Sequence, residues 1–182
     1  CIQLREKDID TRVFFKKAQD FVSILKPVKI PLIINDRVDI ALAAKADGVH
    51  LGQTDMPYEQ ARSLMGPKAV IGLSVETWED VLNAQDLDVD YLGVSPVFPT
   101  PTKTDTKSPW GLEGLAKIRA YSRHPLVAIG GLDAFNIREA VKAGADSIAV
   151  VSAICSAENT FDAAGKLVNL FEQTQIQQEK GR

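Results

Sequence analysis

The chain is short of cysteine, of basic surplus and of long apolar runs, and each shortage removes a class of function. Only Cys1 and Cys155 occur among 182 residues. Two cysteines build neither a disulfide framework nor a zinc site of their own. The expected setting is therefore a reducing cytoplasm, with Cys155 a small core or half-buried residue. No stretch approaches the ~18 uninterrupted apolar residues of a membrane span, and no signal or transit pattern opens the chain. Lysine and arginine total 21 against 24 aspartates and glutamates, a net charge of −3. A general nucleic-acid binder usually carries a large basic surface, so neither nucleic acid nor membrane is expected as a partner. No GxGxxG or GxxxxGK(S/T) loop follows an early strand, which excludes the two common nucleotide-binding turns.

What is present is an ordinary globular composition, 45% apolar and 25% charged, enough for one domain with its own core. Short β-branched runs alternate with helical patterns. The runs are Ile2–Leu4, Leu32–Ile34, Gly48–Leu51, Val70–Leu73, Tyr91–Val94, Leu126–Ile129 and Ser147–Val151. Each is nearly all apolar, as parallel strands covered on both faces are. Between them the periodicity predicts helices over Arg12–Leu25, Pro57–Met65, Trp78–Gln85, Ala134–Ala143 and about Phe161–Gln175. Their stops and caps are Asp10 or Thr11, Gly66, Thr77, Asp133 and Gly144. Phe14, Ala18, Phe21, Val22 and Leu25 share one helix face. So do Phe161, Ala164, Leu167, Val168 and Phe171. Residues 176–182 read as a polar, frayed tail.

A weak repeat runs through Ala46-Asp47-Gly48-Val49-His50-Leu51, Val89-Asp90-Tyr91-Leu92-Gly93-Val94 and Ala145-Asp146-Ser147-Ile148-Ala149-Val150. Each copy is a helix end, an acidic turn and an apolar strand. Repeated strand–helix units give a doubly wound sheet or a closed barrel. Polar residues at the ends of many successive strands favour the (β/α)8 TIM barrel. Seven strands are legible, so the first strand and helix of the barrel are expected upstream of Cys1. The chain otherwise reads as one barrel domain, residues 1–182.

Chemistry-bearing residues gather at the strand ends. Asp36 and Asp55 follow strands adjacent in order, ~4.8 Å apart. Two carboxylates there suit one Mg²⁺, which takes one or two carboxylates plus water and substrate phosphate. Alternatively each is a helix N-cap. Gly130-Gly131 and Val151-Ser152 follow the last two strands, where such barrels bind phosphate through backbone N–H groups; the plainer reading is two tight turns. Arg5, Lys7 and Lys103 add positive charge suited to a diphosphate. The loop Ser95–Pro109 is long enough to be functional and is expected to be a lid that carries Lys103. His50, His124, Trp78 and Trp110 read as structural.

Five blocks together resemble the thiamine-phosphate synthase (thiamine-phosphate pyrophosphorylase) family. They are Gln3-Leu4-Arg5-Glu6-Lys7, Ile34-Asn35-Asp36-Arg37, Gly48-Val49-His50-Leu51-Gly52-Gln53, Val97-Phe98-Pro99-Thr100-Pro101-Thr102-Lys103 and Ala128-Ile129-Gly130-Gly131. The resemblance runs from Cys1 to about Cys155. It implies a Mg²⁺-dependent transferase on a (β/α)8 barrel. The reaction would join 4-amino-2-methyl-5-hydroxymethylpyrimidine diphosphate to 4-methyl-5-(2-phosphooxyethyl)thiazole, giving thiamine phosphate and pyrophosphate. By resemblance, Gln3, Leu4, Arg5, Glu6, Lys7, Asn35, Ser74 and Lys103 would bind the pyrimidine diphosphate, with Lys7, Ser74 and Lys103 serving the chemistry. Asp36 and Asp55 would hold the metal. Thr100, Pro101, Thr102, Gly131, Val151 and Ser152 would bind the thiazole phosphate. A thiazole tautomerase of the same fold and a non-catalytic phosphate-binding barrel are the alternatives.

Overall fold

The computed structural model describes residues 1–100 and 107–180. The chain divides into two compact units. One holds Cys1–Ser74 with Leu87–Asp90, the other Val75–Asp86 with the chain from Tyr91 on. All strand pairing within each is parallel and between consecutive strands, as the alternating pattern predicts.

The first unit runs β1 (Ile2–Leu4), α1 (Thr11–Leu25), a 3-10 turn (Lys26–Val28), β2 (Leu32–Asn35), α2 (Val38–Ala44), β3 (Gly48–Leu51), α3 (Tyr58–Met65) and β4 (Val70–Val75). The register sets Gln3 opposite Ile33, Asn35 opposite His50 and Leu51 opposite Leu73. β2 and β3 are buried at every position, whereas β1 buries only Leu4. Phe14, Ala18 and Leu25 bury the inner face of α1, which packs on β2 and α2. Phe21 of the same expected stripe is exposed. A Cβ at Gly48 would drive into the Val70 carbonyl, so β3 and β4 approach closely only because glycine stands there.

The second unit holds α4 (Trp78–Ala84), β5 (Tyr91–Val94), α5 (Gly111–Tyr121), β6 (Leu126–Ile129), α6 (Ile137–Lys142), β7 (Ser147–Ala149), α7 (Ser152–Cys155) and α8 (Thr160–Lys180). Thr77 caps α4 in a full capping box with Asp80, as expected. Asp133 does not cap α6. Its carboxylate takes the Phe135 N–H at 2.8 Å and its own N–H goes to Asn136 Oδ1 at 2.9 Å. Side-chain bonds thus hold 133–136 as a turn, and α6 starts at Ile137. β7 stops at Ala149, so Val151 and Ser152 open α7.

α6 and α8 pack through Ile137, Val141 and Leu167, with Leu170 and Phe171 alongside. Phe161 and Val168, expected on that face, are 84% and 52% exposed. The tail expected to fray is helical through Lys180. Gln175 reaches the Asp146 carbonyl at 3.5 Å and Gln178 the Val141 carbonyl at 3.4 Å. Cys155 is exposed rather than half-buried, because it ends the four-residue α7. Among the described residues, no helix is long and apolar enough to cross a membrane.

The repeated aspartates share one job. Asp47, Asp90 and Asp146 each donate a backbone N–H to the carbonyl of the first or second residue of the preceding strand: Leu32, Ile71 and Leu126, all at 2.9 Å. Each carboxylate also accepts the N–H of that same residue at 2.8 Å. One residue thereby satisfies both polar groups at a strand start, where the ladder leaves them open.

Candidate active site

In the first unit the strand ends hold most of the expected polar set. Asn35 ends β2 and is 7% exposed. Asp36 follows with a φ of 62°. Its N–H donates to the His50 carbonyl at 2.8 Å, and the Arg37 N–H folds back to the Asn35 carbonyl at 2.7 Å. A non-glycine residue at the centre of so tight a turn is uncommon and carries strain. Asp36 caps no helix: α2 starts after Arg37, which is clamped to Asp39 and Thr11 instead. The Arg37 guanidinium holds the Asp39 carboxyl below its ordinary range. The Asp36 carboxylate forms an ion pair with the Lys7 ammonium.

Asp55 is no cap either, since Pro57 precedes α3. Its Oδ2 accepts the Gly52 N–H at 2.7 Å. A Cβ at Gly52 would lie 3.0 Å from that oxygen. Burial pushes the Asp55 carboxyl up; the neighbouring Asp36 carboxyl adds to this, while the Gly52 N–H and Lys7 oppose it. Asp36 and Asp55 are thus near enough for each carboxyl to act on the other's charge, and Lys7 pairs with Asp36. Their donor set is all oxygen, and no group of three or more metal-ligating side chains exists among the described residues. An all-oxygen carboxylate pair is a donor set suited to Mg²⁺, which keeps several waters, rather than a closed protein cage.

Ser74, on β4, is 9% exposed and its Oγ lies 2.8 Å from His50 Nε2. Gln53 Nε2 donates to the Ser74 carbonyl at 2.6 Å. Two residues from the end of β3 thus hold Ser74. Sequence reasoning set His50 aside as structural; its signal was the Asn35–His50 pairing register, which puts it on the strand beside Asn35. Of the remaining expected residues, Leu4 is buried and Gln3 and Arg5 are exposed. Glu6 pairs with Lys17 of α1. That bond ties the 5–7 segment to the helix.

In the second unit, Gly130 and Gly131 have φ of 95° and 64°. The Val97 and Phe98 N–H groups donate to the Ile129 and Gly130 carbonyls at 2.8 and 3.1 Å. A Cβ at Gly131 would sit 2.6 Å from the Pro99 carbonyl oxygen. Both the turn geometry and the packed 96–99 segment therefore require glycine. Asn136 Nδ2 holds the Gly131 carbonyl at 2.8 Å. Thr100 is half-buried, and Val151 and Ser152 are exposed at the start of α7. Pro101, Thr102 and Lys103 lie outside the described residues, as does the 101–106 part of the expected lid. Trp110 Nε1 donates to the Val75 carbonyl at 3.2 Å, and Trp78 stacks on Tyr121 with Lys117 over its ring. His124 is buried on the Ala84 carbonyl. These three are structural, as expected.

Comparison with known proteins covers most of the chain. The family model for thiamine monophosphate synthase covers residues 1–154. The thiamine-phosphate synthase of Albidiferax ferrireducens is 56% identical over 172 residues, 94% of this chain and 78% of that protein. That of Vibrio parahaemolyticus is 50% identical over 171 residues, 94% of this chain and 84% of that protein. Among solved structures, the thiamine phosphate pyrophosphorylase of Pyrococcus furiosus superposes with a TM-score of 0.85 at 40% identity, covering 94% of this chain and 82% of that one. The orotidine 5'-phosphate decarboxylase of Pyrococcus horikoshii, at 18% identity and a TM-score of 0.65, shares the fold alone. On the family match and these identities, the chain belongs to the thiamine monophosphate synthase family.

Proposed function

We propose that the chain joins 4-amino-2-methyl-5-hydroxymethylpyrimidine diphosphate to 4-methyl-5-(2-phosphooxyethyl)thiazole, releasing pyrophosphate and forming thiamine phosphate. The observation that carries this reading is the Asp36–Asp55 carboxylate pair with Lys7 ion-paired beside it. A thiazole tautomerase has no diphosphate to neutralise and no use for that set. Asp36 and Asp55 would hold Mg²⁺, which when bound supplies positive charge to the diphosphate oxygens.

The chain's own residues then do little covalent work. The methylene C–O bond breaks and its electron pair leaves with pyrophosphate. The amino-pyrimidine ring stabilises the methylene cation, and the thiazole nitrogen lone pair forms the new C–N bond. Lys7 and Lys103 would neutralise the leaving charge as it develops. Ser74, braced by His50 and Gln53, would orient the pyrimidine with Gln3, Leu4, Arg5, Glu6 and Asn35. In the second unit, Thr100, Pro101, Thr102, Gly131, Val151 and Ser152 would bind the thiazole phosphate.

The test is thiamine phosphate formation by Asp36→Asn and Asp55→Asn across a Mg²⁺ titration. Each should lose about 10²–10³-fold in turnover, the size of one lost electrostatic stabiliser, with an unchanged far-UV circular dichroism spectrum. Wild-type turnover and metal dependence in both variants would overturn the assignment.

A further inference from the structure

The three aspartate clamps are not finished alike. Asp90 carries Arg62 at 3.0 Å, and Asp146 carries Arg119 at 2.7 Å. Asp47 makes the same pair of bonds to Leu32 but has no ion pair among the described residues. Beside it lies a concavity of about 290 Å³ lined by Lys26, Lys29, Lys45 and Asp47, with Ile30 and Pro31 on its apolar side. That size is near the small end of small-molecule pockets. None of the three ammonium groups meets a carboxylate or a hydrogen-bond acceptor among the described residues. By contrast Lys7, Lys16 and Lys17 are all ion-paired. Asp47 Oδ2 accepts the Leu32 N–H and keeps its negative charge, so the concavity sets three cations against one anion.

The backbone marks the same spot. Lys29 ends the 3-10 turn with φ 55°, and Lys45 ends α2 with φ 58°. At two other helix ends the positive-φ residue is glycine: Gly66 after α3 and Gly144 after α6, with φ of 80° and 110°. A left-handed residue with a Cβ is sterically disfavoured. Twice, then, the chain keeps a lysine where glycine would fit freely, and both residues line one concavity. The place is also distinct from the candidate active site. It lies at Leu32, the amino end of β2, whereas Asn35 and Asp36 leave the carboxyl end, about 10 Å away along the strand.

We propose that this concavity is a second anion site, taking a phosphoryl group between Lys26, Lys29 and Lys45. Free phosphate, pyrophosphate and the phosphate of a larger monoester share that chemistry. The ammonium groups would donate charge-assisted hydrogen bonds to its oxygens, and Ile30 and Pro31 leave an apolar flank for an organic substituent.

The experiment is an amide chemical-shift titration of the ¹⁵N-labelled full chain in EDTA, with inorganic phosphate, pyrophosphate and a simple phosphate monoester in separate arms. At least one probe should shift Lys29, Lys45 and Asp47 saturably, with a Kd at or below ~1 mM. The tightest arm identifies the source of the phosphoryl group. The double variant Lys29→Asn, Lys45→Asn removes both charges with a residue that tolerates the left-handed conformation. It should weaken those shifts about tenfold and leave any shifts at Lys7 and Asp36 unchanged. Absence of saturation at Lys29 and Lys45, shifts confined to Lys7 and Asp36, or full persistence in the double variant would each overturn the proposal.

Discussion

Replacing Asp146 with alanine removes two interactions at one oxygen. Its Oδ2 accepts the Leu126 N–H at 2.8 Å and faces Arg119 Nη1 at 2.7 Å. Leu126 is fully buried, so its N–H loses an acceptor where the ladder provides no other. A hydrogen bond to a charged group is worth about 1.5–3 kcal/mol net. An exposed ion pair adds about 0.2–1 kcal/mol. The carboxylate is 51% exposed, so water reaches part of the gap and holds the total near the low end, about 2 kcal/mol. Asp90→Ala should match it, because Asp90 has the same bond to Ile71 and an Arg62 partner. Asp47→Ala should cost less, since it has the bond to Leu32 without a guanidinium. Asparagine at any of the three keeps an acceptor oxygen and should recover most of the loss. Urea unfolding followed by circular dichroism reads this directly: a 2 kcal/mol change moves the midpoint by about 1 M at a slope of about 2 kcal/mol/M. If asparagine proves as harmful as alanine, or if all three alanine variants stay within about 0.5 kcal/mol of the parent, the repeat is solvated surface charge and the clamp reasoning fails.

Three further outcomes are expected. Gly131→Ala should destabilise by about 2–5 kcal/mol, from about 1–2 for the left-handed conformation and about 1–3 for overpacking against Phe98 and Pro99; a thermal midpoint equal to the parent's would contradict this. Ser74→Ala should cost about 0.5–1.5 kcal/mol by removing the buried His50–Ser74 hydrogen bond, read in the same unfolding assay, with loss of turnover greater than loss of substrate affinity. Asp55→Asn should stabilise the metal-free protein at neutral pH. Burial raises the folded carboxyl above its ordinary 3.8, so the folded state holds its proton longer than the unfolded chain, and stability falls as pH rises through the folded value. Asparagine has no such loss while it keeps the Gly52 bond. The stability difference between variant and parent should therefore grow from below pH 3.8 to neutrality, and a variant less stable than the parent at neutral pH would refute the sign.

The sequence by itself determined the parts whose causes are local. Seven apolar runs became seven strands, and β2 and β3, buried at every position, show why: a strand covered on both faces needs apolar side chains throughout. Thr77 was readable as a cap because the backbone it caps lies within one turn; the structure adds Asp80 as the other half of the capping box. Asp36 and Asp55 were readable as a pair because strand order alone brings them together. Tertiary structure decided what depends on distant partners. Asp133 lost its helix because Asn136 and Phe135 offered nearer bonds. Phe161 and Val168 fell outside the buried face because α6 covers only the Leu167 side of α8. The repeated aspartates were visible as a pattern, but their clamping role needed the preceding strand to fold beside them. The ion pair of Lys7 with Asp36 spans 29 residues of sequence, and His50 meets Ser74 across 24. No local propensity encodes such contacts: they exist because parallel pairing puts successive strand ends side by side, where burial and charge then act on residues the chain keeps far apart.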